Sequence, residues 1–324
     1  MQSRLSQTDR VVPVLLLGLS FVWGTSFLLI KIADAAMSPS WVASLRLALG
    51  AIFVWAVALA RRERVVFTPG RWAHMALLAF FATAGPFILL AWAETKVPSG
   101  VAGVINATTP LWTMALAAAL LPAERLSGGG VAWMTGAFIG VVGILSPWSS
   151  SAASLWGDVA CLVAAFSYAI GFVYTKVVVQ PWGVPATSLT AVQLSLATLE
   201  AGVAIPLVGA RFSVAPGPLA ALLVLGAINT GAAFIAYHMV VRRAGATRSS
   251  TVTYLSPVVA LILGVTLRGE HLGWSAYLGS AVLLICLAGA GGHLGIPKRP
   301  AVQLRGGGEQ DPLPTTDRYE VSDP

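Results

Sequence analysis

The sequence predicts an all-α integral membrane protein with ten transmembrane helices in two inverted five-helix repeats. Composition is the first of three observations behind this reading. The 324-residue chain is 56% hydrophobic and 10% charged, with a mean hydropathy of +0.79, whereas charged residues make up roughly a quarter of a soluble domain. Second, ten apolar runs follow one another, each close to the roughly 20 residues that cross a bilayer. Third, one pattern occurs twice. Ser99-Gly100-Val101-Ala102 leads through Asn106, Thr109 and Pro110 to Glu124-Arg125-Leu126, and Arg248-Ser249-Ser250 leads through Thr253, Ser256 and Pro257 to Glu270-His271-Leu272. The two prolines are 147 residues apart, so each half holds five runs. An odd number of crossings leaves the halves oppositely oriented, as in many carriers.

The runs cover about 11–33, 40–60, 72–93, 98–121 and 131–148, then 154–175, 184–208, 217–241, 248–267 and 273–292. Turn and charge signals part them: Ser38-Pro39-Ser40, Arg61 to Arg64, Lys96-Val97-Pro98, Glu124 to Gly130, Pro181 to Pro185, and Arg242-Arg243. The tightest boundary is Lys96 to Pro98. Long continuous runs without period-two alternation exclude a β-barrel. The expected organisation is a cytoplasmic N-terminus over 1–10, a first repeat over 11–148, a second over 154–292, and a disordered cytoplasmic tail over 298–324 that is rich in Gly, Pro and acidic residues.

Basic residues set the orientation, because cytoplasmic loops hold the excess of Lys and Arg. With an inside N-terminus and ten crossings, Arg61, Arg62, Arg64, Arg71, Arg125, Lys176, Arg242, Arg243 and Arg248 fall inside together with both basic termini, against Lys96, Arg211 and Arg268 outside. Both termini are therefore expected in the cytoplasm. The net charge of +7 is a topology signal, and no nucleic-acid partner is expected. Val11 to Ile30 is longer than the roughly 7–15 residues of a signal-peptide core, so it reads as a span. Cys161 and Cys286 lie inside runs as packing residues, without a disulfide or metal pattern. The Asn106-Ala107-Thr108 sequon lies mid-membrane, and no phosphate-binding loop is present. No cofactor or metal is expected.

Trp23-Gly24-Thr25-Ser26-Phe27 in the first run, Arg46 early in the second, and the duplicated polar-proline-glutamate blocks resemble the EamA family of the drug/metabolite transporter superfamily. The second repeat opens on Gly157-Asp158, and the resemblance covers roughly residues 11–292. It implies a ten-helix inverted-repeat carrier in the inner or plasma membrane, moving small metabolites, commonly amino acids, and often outward. Exporters of organic cations in the small multidrug branch of the superfamily use a carboxylate in the first span. Val11 to Ile30 contains none, which favours neutral or zwitterionic solutes.

A polar side chain in lipid faces other helices or water. Asn106, Thr109 and Thr113 share one helical stripe, Ser249, Thr253 and Ser256 share another, and the 147-residue offset superimposes Asn106 on Thr253 and Thr109 on Ser256. A pseudo-twofold axis brings both stripes toward the midplane. Pro110 and Pro257 each free a backbone carbonyl and are the expected hinges. Further substrate-binding candidates are Trp23, Thr25, Ser26, Trp92, Tyr168, Asn229, Thr230, Tyr237 and Tyr254. Rings and dipoles together suit a small amphipathic solute, although the same groups also serve as interhelical hydrogen-bond glue, and the sequence leaves both roles open.

Arg46 and Glu200 are the candidate ion-coupling residues. Arg46 either holds a substrate carboxylate or pairs with Asp34, Glu94 or helix-end carbonyls. Glu200 is the carboxylate placed well inside a run. Glu124 and Glu270 fit helix-end or gate contacts, and Lys31 is expected to reach for the interface. Gly136, Gly140 and Gly143 form a small-residue face expected to pack on the tenth run near Gly279. The partners expected are a small-molecule substrate and the bilayer. The leading function is export by alternating access, with import, drug efflux, an uncoupled channel and an intramembrane enzyme as alternatives. The enzyme alternative lacks any His/Glu metal set or Ser/His/Asp constellation.

Overall fold

The computed structural model describes residues 3–63, 68–120, 128–146, 152–208, 211–240 and 252–290. Ten helices of 17 residues or more run through them: α1 (Ser3–Ala33), α2 (Pro39–Ala60), α3 (Arg71–Glu94), α4 (Ser99–Leu120), α5 (Gly128–Leu145), α6 (Ser154–Trp182), α7 (Ala186–Val203), α8 (Pro216–Val240), α9 (Val252–Arg268) and α10 (Trp274–Ala290). Among the described residues the β-structure is a single bridge, Met37 to Phe212. The side chains of Thr253 and Tyr254, together with Glu124, Arg248 to Ser250 and the 298–324 tail, lie outside what the structure describes.

Seven of the ten are long and apolar enough to cross a membrane: the Val12–Ala33 part of α1, and α2, α3, α4, α5, α6 and α8. Of the other three, α7 has its hydropathy lowered by Gln193, Glu200 and the hydroxyls of Thr187, Ser188, Thr190, Ser195 and Thr198. Helices α9 and α10 are described over 17 residues each, and each adjoins a stretch outside the described residues, 241–251 and 291–324.

Local chemistry explains the ends and irregularities. Pro39 and Pro216 sit in the first turns of α2 and α8, where a missing N–H leaves no bond unmade. Helix α4 loosens at Ala107 and Thr108, because Pro110 lacks the N–H that would reach the Asn106 carbonyl. Thr109 Oγ1 donates to that carbonyl instead, at 2.8 Å. Three π-helical turns interrupt the helices, in α3 at Phe80–Ala84, in α6 at Thr175–Val179 and in α8 at Ala227–Ala232. Those of α3 and α8 begin 147 residues apart, the same offset as the prolines.

The repeats are interleaved. Helix α1 packs on α8 and α9, and its counterpart α6 packs on α3 and α4; α2 packs on α8 and α7 on α3. The pairs α2/α7, α4/α9 and α5/α10 join equivalent helices directly. Trp133 meets Gly289, Gly136 meets Cys286, Gly140 meets Leu283 and Gly143 meets Gly279, and Ser146 Oγ bonds Ser275 Oγ at 2.7 Å. Rising numbers on α5 meet falling numbers on α10, so the two run antiparallel. Helices α4 and α9 do likewise, with Ser99 beside Gly264 and Gly103 beside Ala260.

The α5/α10 seam depends on absent side chains. A Cβ on Gly140 would lie 2.7 Å from the Leu283 nitrogen, and one on Gly279 would lie 2.5 Å from the Gly140 carbonyl oxygen. Lipid gives helices no hydrophobic drive to associate, so close packing of this kind supplies the attraction. We expect Gly140→Val or Gly279→Val to cost about 1–3 kcal/mol through overpacking and to lower the melting temperature of the purified protein. Gly202→Ala, which meets nothing within 4 Å, leaves the melting temperature unchanged.

Candidate functional site

The π turns of α3 and α8 are where the repeats grip each other. Thr230, in the turn of α8, is fully buried; its Oγ1 donates to the Leu225 carbonyl five residues back, at 2.8 Å, and accepts from Arg46 Nε of α2 at 2.8 Å. Thr83, in the turn of α3, is likewise buried and accepts from Gln193 Nε2 of α7 at 2.7 Å. Arg46 and Gln193 are 147 residues apart, as are Thr83 and Thr230. A hydrogen bond from one repeat to the other is thus made twice, once with a guanidinium and once with a neutral amide. The sequence reading included Arg46 and Thr230 and missed Gln193 and Thr83, although the offset already in hand pairs all four.

Arg46 is only 6% exposed, and its guanidinium lies over the Phe87 ring at 4.1 Å. Phe87 packs edge-on to Tyr168 at 6.4 Å, and Trp92 and Tyr168 pack against the same core. Among the described residues Arg46 makes no ion pair with Asp34 or Glu94, the alternative raised from sequence. Its Nε is committed to Thr230, and among the described residues its two terminal amino groups have no hydrogen-bond partner. A buried group with unused donors costs free energy unless something fills them.

Several other predicted residues are used to join helices. Asn229 Nδ2 of α8 donates to the Val22 carbonyl and lies 3.0 Å from both Thr25 Oγ1 and Ser26 Oγ of α1. Trp23 stacks obliquely on Tyr237 at 5.2 Å and meets Phe234 edge-on at 6.2 Å. The α6/α3 counterpart is the bond from Ser167 Oγ to the Phe81 carbonyl, 2.8 Å. On the polar stripe of α4, Thr109 and Thr113 bond back to their own helix, and Ser256 of α9 bonds to the Val252 carbonyl. The Asn106 amide oxygen alone of this set is buried without a donor. Pro257 lies inside α9, which runs through it. Glu200 sits in the last turn of α7, half-buried, with Oε2 unpartnered.

A second polar centre closes the end of the bundle where α1, α3 and α9 finish. Glu270 caps α4: Oε1 accepts from the Ser99 N–H (2.9 Å) and hydroxyl (2.8 Å), and Oε2 accepts from the Gly100 N–H (3.1 Å). A carboxylate there meets the positive end of the helix dipole, which fulfils the helix-end role expected of this glutamate. Lys31 does not reach outward. Its Nζ donates to the carbonyls of Glu94 and Val97. A cavity of about 320 Å³ opens beside it, lined by Lys31, Lys96, Pro98, Arg268, Glu270 and His271.

The Gln193–Thr83 bond is open to a double-mutant cycle. We expect Gln193→Leu and Thr83→Val each to destabilise the purified protein, with a coupling energy of about 0.6 to 1.7 kcal/mol, the range of interhelical hydrogen bonds in lipid. Additive losses would mean that the bond does not hold the repeats together.

Comparison with known proteins agrees with this architecture. The sequence profile of the EamA-like transporter family matches residues 11–146 and 155–291. The chain is 28% identical over 297 residues to the Escherichia coli K12 protein named as inner membrane transporter YedA, covering 89% of this chain and 93% of that protein. It is 27% identical to Protein PagO of Salmonella typhimurium, with coverage of 85% and 90%. A stretch of 193 residues, 56% of the chain and 61% of its relative, is 28% identical to a probable terminal-alkyne amino-acid exporter of Streptantibioticus cattleyicolor. A solved crystal structure at 20% identity shares the fold, with a TM-score of 0.64 over 87% of this chain and 97% of that one. With two copies of the family unit filling its length and apolar helices in both, this chain belongs to the EamA family, and it is an integral membrane transporter of small molecules rather than an enzyme.

Proposed function

We propose that the protein is a secondary carrier that exports small zwitterionic or neutral metabolites, amino acids foremost, by alternating access. In this reading all ten helices cross the membrane, and the 11–148 and 154–292 repeats are inverted. The N-terminus (1–10) and the tail (298–324) are cytoplasmic. The antiparallel packing of α5 on α10 and of α4 on α9 supports the inversion. In an inverted pair, shorter or more polar helices such as α7, α9 and α10 are carried by protein contacts rather than by lipid. The bias of Lys and Arg supports the orientation, which puts the Lys31 and Glu270 end outside.

One observation carries the substrate class: Arg46, buried at the junction of α2, α3, α6 and α8, with its terminal amino groups unused among the described residues. A guanidinium presents a planar pair of donors matched to a carboxylate. The rings of Phe87, Tyr168 and Trp92 suit the apolar side of an amino acid, and Asn106, with its open amide oxygen, offers an acceptor for an ammonium group. Thr25, Ser26, Asn229, Thr230 and Ser256 hold the walls together, and Trp23 and Tyr237 extend the aromatic lining. Pro110 and Pro257 let α4 and α9 bend. The exporter name carried by one relative agrees with this chemistry.

The test is counterflow in liposomes holding purified protein, using a labelled panel of amino acids with the matching amines that lack the carboxylate. We expect amino acids to exchange and the amines not to. Arg46→Gln should reduce exchange at least tenfold while the folded protein elutes as wild type. Arg46→Lys should lose most of it too, since a point charge does not replace a planar fork. Equal transport of amines and amino acids would remove the Arg46 role.

A further inference from the structure

We propose that Asp34 and Glu94 form a proton-binding site at the closed end of the bundle, which takes its proton from the water on that side and is the coupling site of the carrier. The identity of the coupling ion rests on the transport reading above; the binding of a proton does not. The site differs from both sequence candidates, Arg46 and Glu200.

The argument begins with missing partners. Glu94 ends α3 fully buried, and Asp34 follows α1 at 8% exposure; among the described residues none of their four carboxyl oxygens has a hydrogen-bond donor. Two cations stand beside them and are committed elsewhere. Lys31 gives its protons to the main-chain carbonyls of Glu94 and Val97, and Arg211 Nη2 donates to the main-chain carbonyl of Asp34 at 2.6 Å. Each acid therefore holds a neighbouring cation by its backbone and leaves its own carboxyl bare. A buried bare carboxylate is costly, and the least costly remedy is a proton.

Every packed element contributes a charge or a titratable group. Lys31 comes from α1, Arg46 from α2, Arg211 from the segment before α8 and Glu270 from the turn before α10, all acting on one acid or the other. On α6 lies the Cys161 thiol, which feels both Glu94 and Asp158. The two acids also act on each other, so one ionised carboxylate disfavours the second. Burial pushes the Asp34 carboxyl up to about 8, with Lys31 and Arg211 opposing only in part. A metal is a poor alternative: among the described residues no three His, Cys, Asp or Glu side chains are grouped to hold one.

The surroundings give the proton a way in and a reason to leave. The cavity lined by Lys31, Lys96 and Glu270 lies beside the cluster and meets it at Lys31, which is bonded to the Glu94 carbonyl; neither acid lines it. The Glu270 cap on α4 and the Met37–Phe212 bridge, which ties the α1–α2 turn to the segment before α8, keep this end shut. Opening this end would break those contacts, wet both acids and let the proton go.

Proton binding is measurable without any substrate, by following the infrared C=O stretch of protonated carboxyl groups on the purified full-length protein in lipid as pH rises. We expect a band whose Asp34 share titrates with a midpoint near 8; the share of the two acids is unaffected by sodium, weakened in Asp34→Asn and in Glu94→Gln, and absent when both are replaced. The half-buried Glu63, paired with Arg61, gives a control: Glu63→Gln leaves the band as it was. Absence of the band in wild type, its survival in the double variant, its removal by Asp158→Asn, or its displacement by sodium would each overturn the site. If the double variant does not fold, an unmoved midpoint in either single variant does the same.

The sign of the effect on stability follows. A carboxyl raised from 3.8 to about 8 on folding stabilises the fold fully below the lower value, and this contribution is lost as pH rises to about 8. Asp34→Asn should therefore flatten the fall in melting temperature across that window. In liposomes, Glu94→Gln should keep amino-acid counterflow and lose accumulation driven by a pH gradient at least tenfold. Loss of counterflow in wild type would count against the transport reading alone, since the band needs no substrate.

Discussion

Two hydrogen bonds that cross between repeats, Arg46 to Thr230 and Gln193 to Thr83, are the interactions around which this bundle is organised. In lipid the helices gain nothing by hiding apolar surface from one another, so polar ties and close backbone contacts decide which helix lies beside which. Each tie needs an acceptor held away from the regular helical ladder. The π turns at Phe80–Ala84 and Ala227–Ala232 supply it, because a wider turn displaces side chains and leaves carbonyls for them. Glycines then let the remaining surfaces close, as at Gly140 and Gly279.

The interleaving has an electrostatic result. Because α1 belongs with α8 and α9, and α6 with α3 and α4, the ends of helices from both repeats converge on the same small volume. Lys31, Asp34 and Glu94 come from the first repeat, Arg211 and Glu270 from the second. All five of these groups use or satisfy main-chain atoms: Lys31 and Arg211 donate to carbonyls, Glu270 accepts from amides, and Glu94 and Asp34 offer their carbonyls. Charges that would neutralise one another side chain to side chain are thereby kept apart, and the acids stay bare.

Much of this was legible in the sequence, and the remainder was hidden for identifiable reasons. The 147-residue offset could be read because proline, asparagine and hydroxyl positions in an apolar run are conspicuous. The contact of Gly136, Gly140 and Gly143 with the Gly279 region could be read because small residues spaced by about one turn have one plain use. The π turns could not: an extra residue in a turn leaves hydropathy unaltered and shifts the helical face by a third of a turn, so periodicity alone passes over it. The fate of the Asn106 carbonyl was also hidden, since Thr109 can reach it only once the Pro110 turn has formed. The bonding of Lys31 was hidden because its acceptors, the carbonyls of Glu94 and Val97, lie 63 and 66 residues along the chain.

The two crossing bonds occupy equivalent places with unequal chemistry. In a carrier of the proposed kind, whose halves trade shapes, the same residue at both places would make these two bonds favour neither side of the membrane. A guanidinium stacked on Phe87 in one place and a neutral amide in the other remove that balance. On that proposal the two bonds weight the two forms unequally, and each form parts with a different kind of tie.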